Sequence, residues 1–104
     1  MKYGVLGGTF DPPHLGHLEM AQAARAALGL DEVVIVPANR NPLKTRQASP
    51  AKHRLKMCSL MAAGEEGLTV SDVEITRRGP SYAVDTIEEL RMARPGEYLS
   101  LIHI

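Results

Sequence analysis

The sequence predicts an α/β fold: a doubly wound parallel sheet with helices on both faces. Two observations carry this. Strand-like and helix-like stretches alternate along the 104 residues in the order strand, helix, strand, helix, strand, helix, strand, which is the pattern of right-handed crossover units. One stretch, Val33-Val34-Ile35-Val36, is a continuous β-branched run. Strands buried on both faces of a parallel sheet look like this.

Each element has a local reason. Lys2 to Leu6 suits a strand through Tyr3 and Val5, and Gly7-Gly8 is expected to end it. Pro12-Pro13 holds off helix until about His14. Leu15 to Leu28 is rich in Ala and Leu and reads as a helix, with Gly29 as its stop. Glu32 to Pro37 is the buried strand. Ala38 to Ser49 is polar and reads as a long loop, and loops of this length tend to be functional. Ser49-Pro50 predicts a helix start, with Ser as N-cap and Pro at the first helical position. Leu55, Cys58 and Met61-Ala62 then recur at helical spacing until Gly64. Leu68 to Ile75 reads as extended, and Arg77 to Pro80 as a turn. Ser81 or Tyr82 opens a third helix with Val84, Ile87 and Leu90 as its apolar stripe, and Pro95-Gly96 stops it. Glu97 to Ile104 is a strand. Residues 1–104 form one domain without internal boundary or repeat. Because the sequence stops inside a strand, that domain is expected to be incomplete at its C-terminus.

Composition narrows the classes. Twelve Lys and Arg cancel twelve Asp and Glu. A neutral chain argues against a general nucleic-acid binder, which carries a basic balance. It leaves room for a small phosphorylated ligand, which needs only a few local donors. The single cysteine, Cys58, cannot form an internal disulfide and fits a reducing, cytoplasmic compartment. The longest apolar run, Val33 to Ala38, is too short to cross a membrane. A glycine pair and Asp11 arrive before a signal-peptide core could form.

The chemistry concentrates in Gly7-Gly8-Thr9-Phe10-Asp11-Pro12-Pro13-His14-Leu15-Gly16-His17. This string links the first strand to the first helix, at the sheet edge where open α/β folds bind ligands. Two glycines let the backbone approach a phosphate, and Thr9 adds a hydroxyl donor. The helix N-terminus is expected to offer free N–H groups and partial positive charge. His14 and His17 are three residues apart and share a helix face, with Gly16 leaving room for a ligand between them. The pair could hold a metal, but Asp11 is the one nearby carboxylate, and a glycine turn at a strand end suits phosphate better than zinc. Taken singly, a glycine pair is usually a turn and a histidine at a helix start is usually a cap. The whole string is far more specific than its parts.

Gly8-Thr9-Phe10-Asp11-Pro12 followed by His14-Leu15-Gly16-His17 resembles the signature of the nucleotidyltransferases that carry a His-x-Gly-His motif. The resemblance implies a Rossmann-like fold and transfer of a nucleoside monophosphate from a triphosphate to an acceptor phosphate, with magnesium. Within that superfamily the chain resembles the bacterial nicotinate-mononucleotide adenylyltransferases along almost its whole length. Asn39, Pro42 and Lys44 match a segment after the second strand, and Arg54-Leu55-Lys56-Met57 matches an Arg-x-x-Met element. Gly79-Pro80-Ser81-Tyr82-Ala83-Val84-Asp85-Thr86 matches a Gly-Pro-Ser-Tyr-Thr-x-Asp-Thr element, with Ala83 in place of the usual Thr. Pantetheine-phosphate adenylyltransferases usually carry Thr where His14 stands, and cytidylyltransferases usually lack the Pro12-Pro13 pair. The family's later Ser-Ser-Thr-x-Ile-Arg element falls beyond Ile104.

The resemblance implies adenylyl transfer from ATP to nicotinate mononucleotide in NAD biosynthesis. It assigns His14, His17 and Lys44 to catalysis, and Gly7, Gly8, Thr9, Phe10 and Gly16 to the nucleotide phosphates. It assigns Asp11, Asn39, Tyr82, Ala83 and Thr86 to the substrates, with the Ala83 backbone N–H on the nicotinate carboxylate. Mg2+ is expected to be held mainly through ATP, without a protein metal site. Arg54 stays outside the catalytic set, because an ion-paired surface residue fits its position as well as a phosphate contact does. The other readings are a sister enzyme, such as a pantetheine-phosphate adenylyltransferase, and an inactive nucleotide-binding fragment.

Overall fold

The structure, a computed structural model, describes residues 1–38, 50–76 and 83–103. The strands are β1 (Lys2–Gly8), β2 (Glu32–Pro37), β3 (Leu68–Val70) and β4 (Glu97–His103), and the helices are α1 (Leu15–Leu28), α2 (Ala51–Ala62), α3 (Val73–Thr76) and α4 (Ala83–Ala93). The strands form one sheet in the order β3-β2-β1-β4. All three pairings are parallel, as the alternation of elements predicts.

The period of two along β1 and β2 divides the core. Leu6, Val33 and Ile35 face one side, where they pack with Ala21 of α1 and with Cys58 and Ala62 of α2. Val5, Val34 and Val36 face the other, against Val73 of α3 and Ile87 and Leu90 of α4. Helices therefore cover both faces, and the strands they cover are apolar on both. β4 pairs with β1 through a register shift between Val5 and Leu6, and Leu101 joins the cluster under α1 and α2.

α1 matches its predicted bounds, with Gly29 in the left-handed conformation and its N–H on the Arg25 carbonyl. Three expectations change. Gly7 and Gly8 do not end β1 but are its last two residues, paired with Val36 and Pro37 of β2. α2 begins at Ala51 with Pro50 at the N-cap, one position later than predicted, and Ser49 lies outside the described residues. The predicted extended stretch Leu68 to Ile75 is strand only to Val70. There Ser71 and Asp72 turn the chain into α3: the Ser71 Oγ accepts the Val73 N–H, and the Asp72 carbonyl accepts those of Ile75 and Thr76. A Ser-Asp pair favours this because its side chains and carbonyls compete with the sheet ladder.

The turn buries Glu74. Its carboxylate accepts the Thr86 hydroxyl at 2.7 Å, and both side chains are buried. This bond ties α3 to the first turns of α4. At the opposite, N-terminal edge of the sheet, Arg94 closes the fold. It pairs with Glu32 at 2.8 Å and lies over the Tyr3 ring, which stacks on Tyr98.

Burial separates consequence from decoration. Ile35→Ala, at a fully buried site, is expected to cost about 2–5 kcal/mol. Leu60→Ala, at a site 67% exposed, is expected to stay within about 0.5 kcal/mol. Urea unfolding of the two variants checks the contrast.

Candidate functional site

β1 lies where the strand order reverses, with β2 and β3 on one side and β4 on the other. The crevice at the C-terminal end of such a strand is the standard ligand position in open α/β sheets. The chain leaves β1 after Gly8 and enters α1 at Leu15. The turn is made not by the glycines but by Phe10, whose φ is 51°. Residues with a β-carbon seldom adopt that region. Phe10 holds it because its ring is buried in the core and meets the His17 ring edge-on at 4.9 Å. One residue further on, the Asp11–Pro12 peptide is cis.

His14 and His17 cap the helix reciprocally. The His14 N–H donates to Nδ1 of His17 at 3.0 Å, and the Gly16 N–H donates to Nδ1 of His14 at 3.1 Å. The two rings stack at 3.8 Å between centroids. A neutral imidazole has one N–H, so a ring whose Nδ1 accepts carries its hydrogen on Nε2. The cap thereby sets one tautomer for both histidines and leaves each with an Nε2–H donor. Burial, and then the neighbouring His14, hold the pKa of His17 below the ordinary imidazole value. Two neutral donors side by side suit a phosphoryl oxygen.

The structure changes two roles expected from sequence. Gly16 makes room for the cap itself: a β-carbon there would stand 2.9 Å from Cε1 of His14. The start of α1 is also not a row of free N–H groups, because His14 takes those of Gly16, through Nδ1, and His17, through its carbonyl. The imidazoles supply donors in their place.

Arg54 is the residue that sequence reasoning missed. It is not a surface residue, being 2% exposed beneath the loop. Its Nη1 donates to the Thr9 carbonyl at 2.9 Å and to the Ala38 carbonyl at 2.6 Å, bridging the ends of β1 and β2. The signal was present, since Arg54, Cys58 and Ala62 recur at intervals of four and are the buried residues of α2. Cys58, one turn on, is inert: burial pushes its thiol up to about 11, against the opposing pull of Arg54.

The other candidates sit as follows. Gly7 and Gly8 are buried, and Thr9 and Asp11 are half-buried in the loop. Ala83 is the first residue of α4, and Thr86 is buried one turn later with its hydroxyl on Glu74. Asn39, Lys44 and Tyr82 lie outside the described residues. Among the described residues no three His, Cys, Asp or Glu side chains group to hold a metal ion. What converges here is a donor set for an anion. Nor, among the described residues, is any helix long and apolar enough to cross a membrane.

A strand-end loop of this form, leading into a His-x-Gly-His helix start at the switch point of a parallel sheet, defines a class. A family model described as cytidylyltransferase-like matches residues 5–103, and the chain belongs to that family. Within it, the chain is 46% identical over 102 residues to a protein of Gemmatimonas aurantiaca named "Probable nicotinate-nucleotide adenylyltransferase", covering 98% of this chain and 48% of that protein. A protein of the same name from Herpetosiphon aurantiacus is 45% identical over 94 residues, covering 90% of this chain and 48% of its own length. The chain thus spans about half the length of these curated relatives. Among solved structures, Plasmodium falciparum nicotinic acid mononucleotide adenylyltransferase complexed with NaAD superposes with a TM-score of 0.71 at 16% identity, covering 95% of this chain and 49% of that one. At that identity the likeness concerns the fold.

Two outcomes test the cap. Gly16→Ala is expected to displace the His14 ring and to lower stability by about 1–2 kcal/mol, the scale of a lost N-cap, in a denaturant titration. The stability contributed by neutral His17 is complete above the ordinary imidazole value near 6.5 and is lost as pH falls from there toward its lower folded value. Urea midpoints are therefore expected to drop as pH falls below about 6.5, and to drop less in His17→Asn, whose amide oxygen accepts the same N–H without titrating.

Proposed function

We propose that this chain carries the nucleotide-binding half of an enzyme of NAD biosynthesis that joins the adenylyl group of ATP to nicotinate mononucleotide. The products are nicotinate adenine dinucleotide and pyrophosphate. The observation that carries the proposal is the stacked, mutually capped histidine pair with two Nε2–H donors at the switch point. The names of the relatives at 41–46% identity support this acceptor over others.

The acceptor phosphate is already a competent nucleophile near neutral pH, so no general base is needed. Its oxygen attacks the α-phosphorus, a new P–O bond forms there, and the bond to the β-phosphate bridge breaks with its electrons going to pyrophosphate. The protein aligns the two polyanions and stabilises charge as it develops. His14 and His17 donate from Nε2 to triphosphate oxygens, and backbone N–H groups of the loop between Gly8 and Phe10 hold the phosphates. Lys44 adds a cation from the segment after β2. Magnesium keeps several waters and is usually held through substrate phosphates, so it would be carried in mainly by ATP. Magnesium would neutralise charge on the triphosphate, and Asp11 would orient a water on it. The nicotinate carboxylate meets the start of α4 at Ala83, beside Tyr82. Thr86 acts there by anchoring α4 to Glu74. A buried, inert Cys58 accords with a cytoplasmic enzyme.

The test uses the full-length protein carrying this chain, with ATP and magnesium. Pyrophosphate release is expected with nicotinate mononucleotide, and much less with nicotinamide mononucleotide or phosphopantetheine. His17→Ala is expected to lower turnover by about 10²–10³-fold, the scale of a lost oxyanion donor. Release that follows phosphopantetheine would assign the chain to the sister enzymes instead.

A further inference from the structure

We infer that Arg54 is a positioning residue for the triphosphate, acting by turning the Thr9–Phe10 peptide so that the Phe10 N–H faces the ligand. The inference rests on the reaction proposed above and adds a residue to it. Arg54 reaches from α2, inside the molecule, to the carbonyl oxygens of Thr9 and Ala38 at 2.9 and 2.6 Å. The Ala38 N–H in turn donates to the Gly8 carbonyl at 2.8 Å. The two strand ends are thus joined twice, once by the ladder and once by a buried cation.

The consequence follows from peptide geometry. Among the described residues the one cis peptide is Asp11–Pro12, so the Thr9–Phe10 peptide is trans. In a trans peptide the C=O and the next N–H point in opposite directions. Arg54 draws the Thr9 carbonyl inward, so the Phe10 N–H is turned the opposite way, away from Arg54. Phe10 also holds its left-handed φ of 51° with its ring buried. The loop conformation is therefore held from both ends of one peptide, by a guanidinium on the carbonyl side and a packed ring on the other.

Arginine suits this position better than lysine. Its planar fork offers several donors at fixed angles and keeps its charge when buried, whereas an ammonium is a single compact point. The same charge lies behind the loop and favours a polyanion in front of it.

The measurement is an amide NMR titration of the full-length protein with inorganic pyrophosphate, beside calorimetry and steady-state kinetics. In the unmodified protein the Phe10 amide is expected to shift on pyrophosphate binding; no shift at saturation would overturn the inference without any variant. In Arg54→Lys, pyrophosphate affinity and kcat are expected to fall by about 10- to 100-fold, the scale of a small misalignment. KM for nicotinate mononucleotide is expected to stay within about twofold, as for a residue that acts on the triphosphate side alone. A folded Arg54→Lys with unchanged pyrophosphate affinity and an unchanged Phe10 response would overturn it. So would equal loss of both ligands, which marks a merely structural role. A Phe10 response without acceptor-dependent turnover in the unmodified protein would count against the reaction and still support the inference.

Discussion

The reciprocal cap between His14 and His17 is the interaction on which the site depends. It is made of two ordinary hydrogen bonds, from the backbone N–H groups of His14 and Gly16 to imidazole nitrogens. Its effect exceeds its strength. A histidine cap satisfies orphan N–H groups at a helix start, as serine or aspartate would. Unlike serine, it has a second nitrogen whose state is set by the first. Local structure thus becomes chemistry without any further residue: the bonds that begin α1 also decide that two neutral Nε2–H groups remain as donors.

The rest of the fold supplies the place and the stiffness. The reversal of strand order at β1 puts the loop at a crevice. Burial of the Phe10 ring fixes a backbone conformation that a residue with a β-carbon seldom takes, and the same ring braces His17. Arg54 holds the loop from beneath. A preorganised donor set of this kind suits phosphoryl transfer, where the protein contributes position and electrostatics more than covalent chemistry.

Much of this was legible in the amino-acid order, for identifiable reasons. β2 was readable because Val33 to Val36 can hardly be anything but a strand buried on both faces, and α1 because Pro12-Pro13 and Gly29 punctuate it. The histidine pair was legible as a site, but its mechanics were not. Spacing shows that two side chains share a face; it does not show that Nδ1 of each is spent on the backbone, or that Gly16 serves the His14 ring. The glycine pair misled in the same way, since Gly7 and Gly8 remain in β1 while Phe10 makes the turn. α3 was hidden because a one-turn helix has too few residues for a period, so Val73 and Ile75 read as continued strand. The burial of Arg54 was signalled by its spacing with Cys58 and Ala62, but a charged residue on a helix is normally solvated, and that expectation prevailed. Two of its partners are carbonyl oxygens 45 and 16 residues away, and no side-chain pattern announces them. The readings at Asn39, Lys44 and Tyr82 rest on resemblance alone.

The most direct test of this account is the tautomeric state of the two imidazoles, read from their ring 15N shifts and long-range couplings at neutral pH. The cap predicts that both His14 and His17 are neutral, with the hydrogen on Nε2 and a bare, accepting Nδ1. A hydrogen on Nδ1 of either ring would contradict it, because that nitrogen could no longer accept from the backbone, and the paired donors from which the function is argued would not exist.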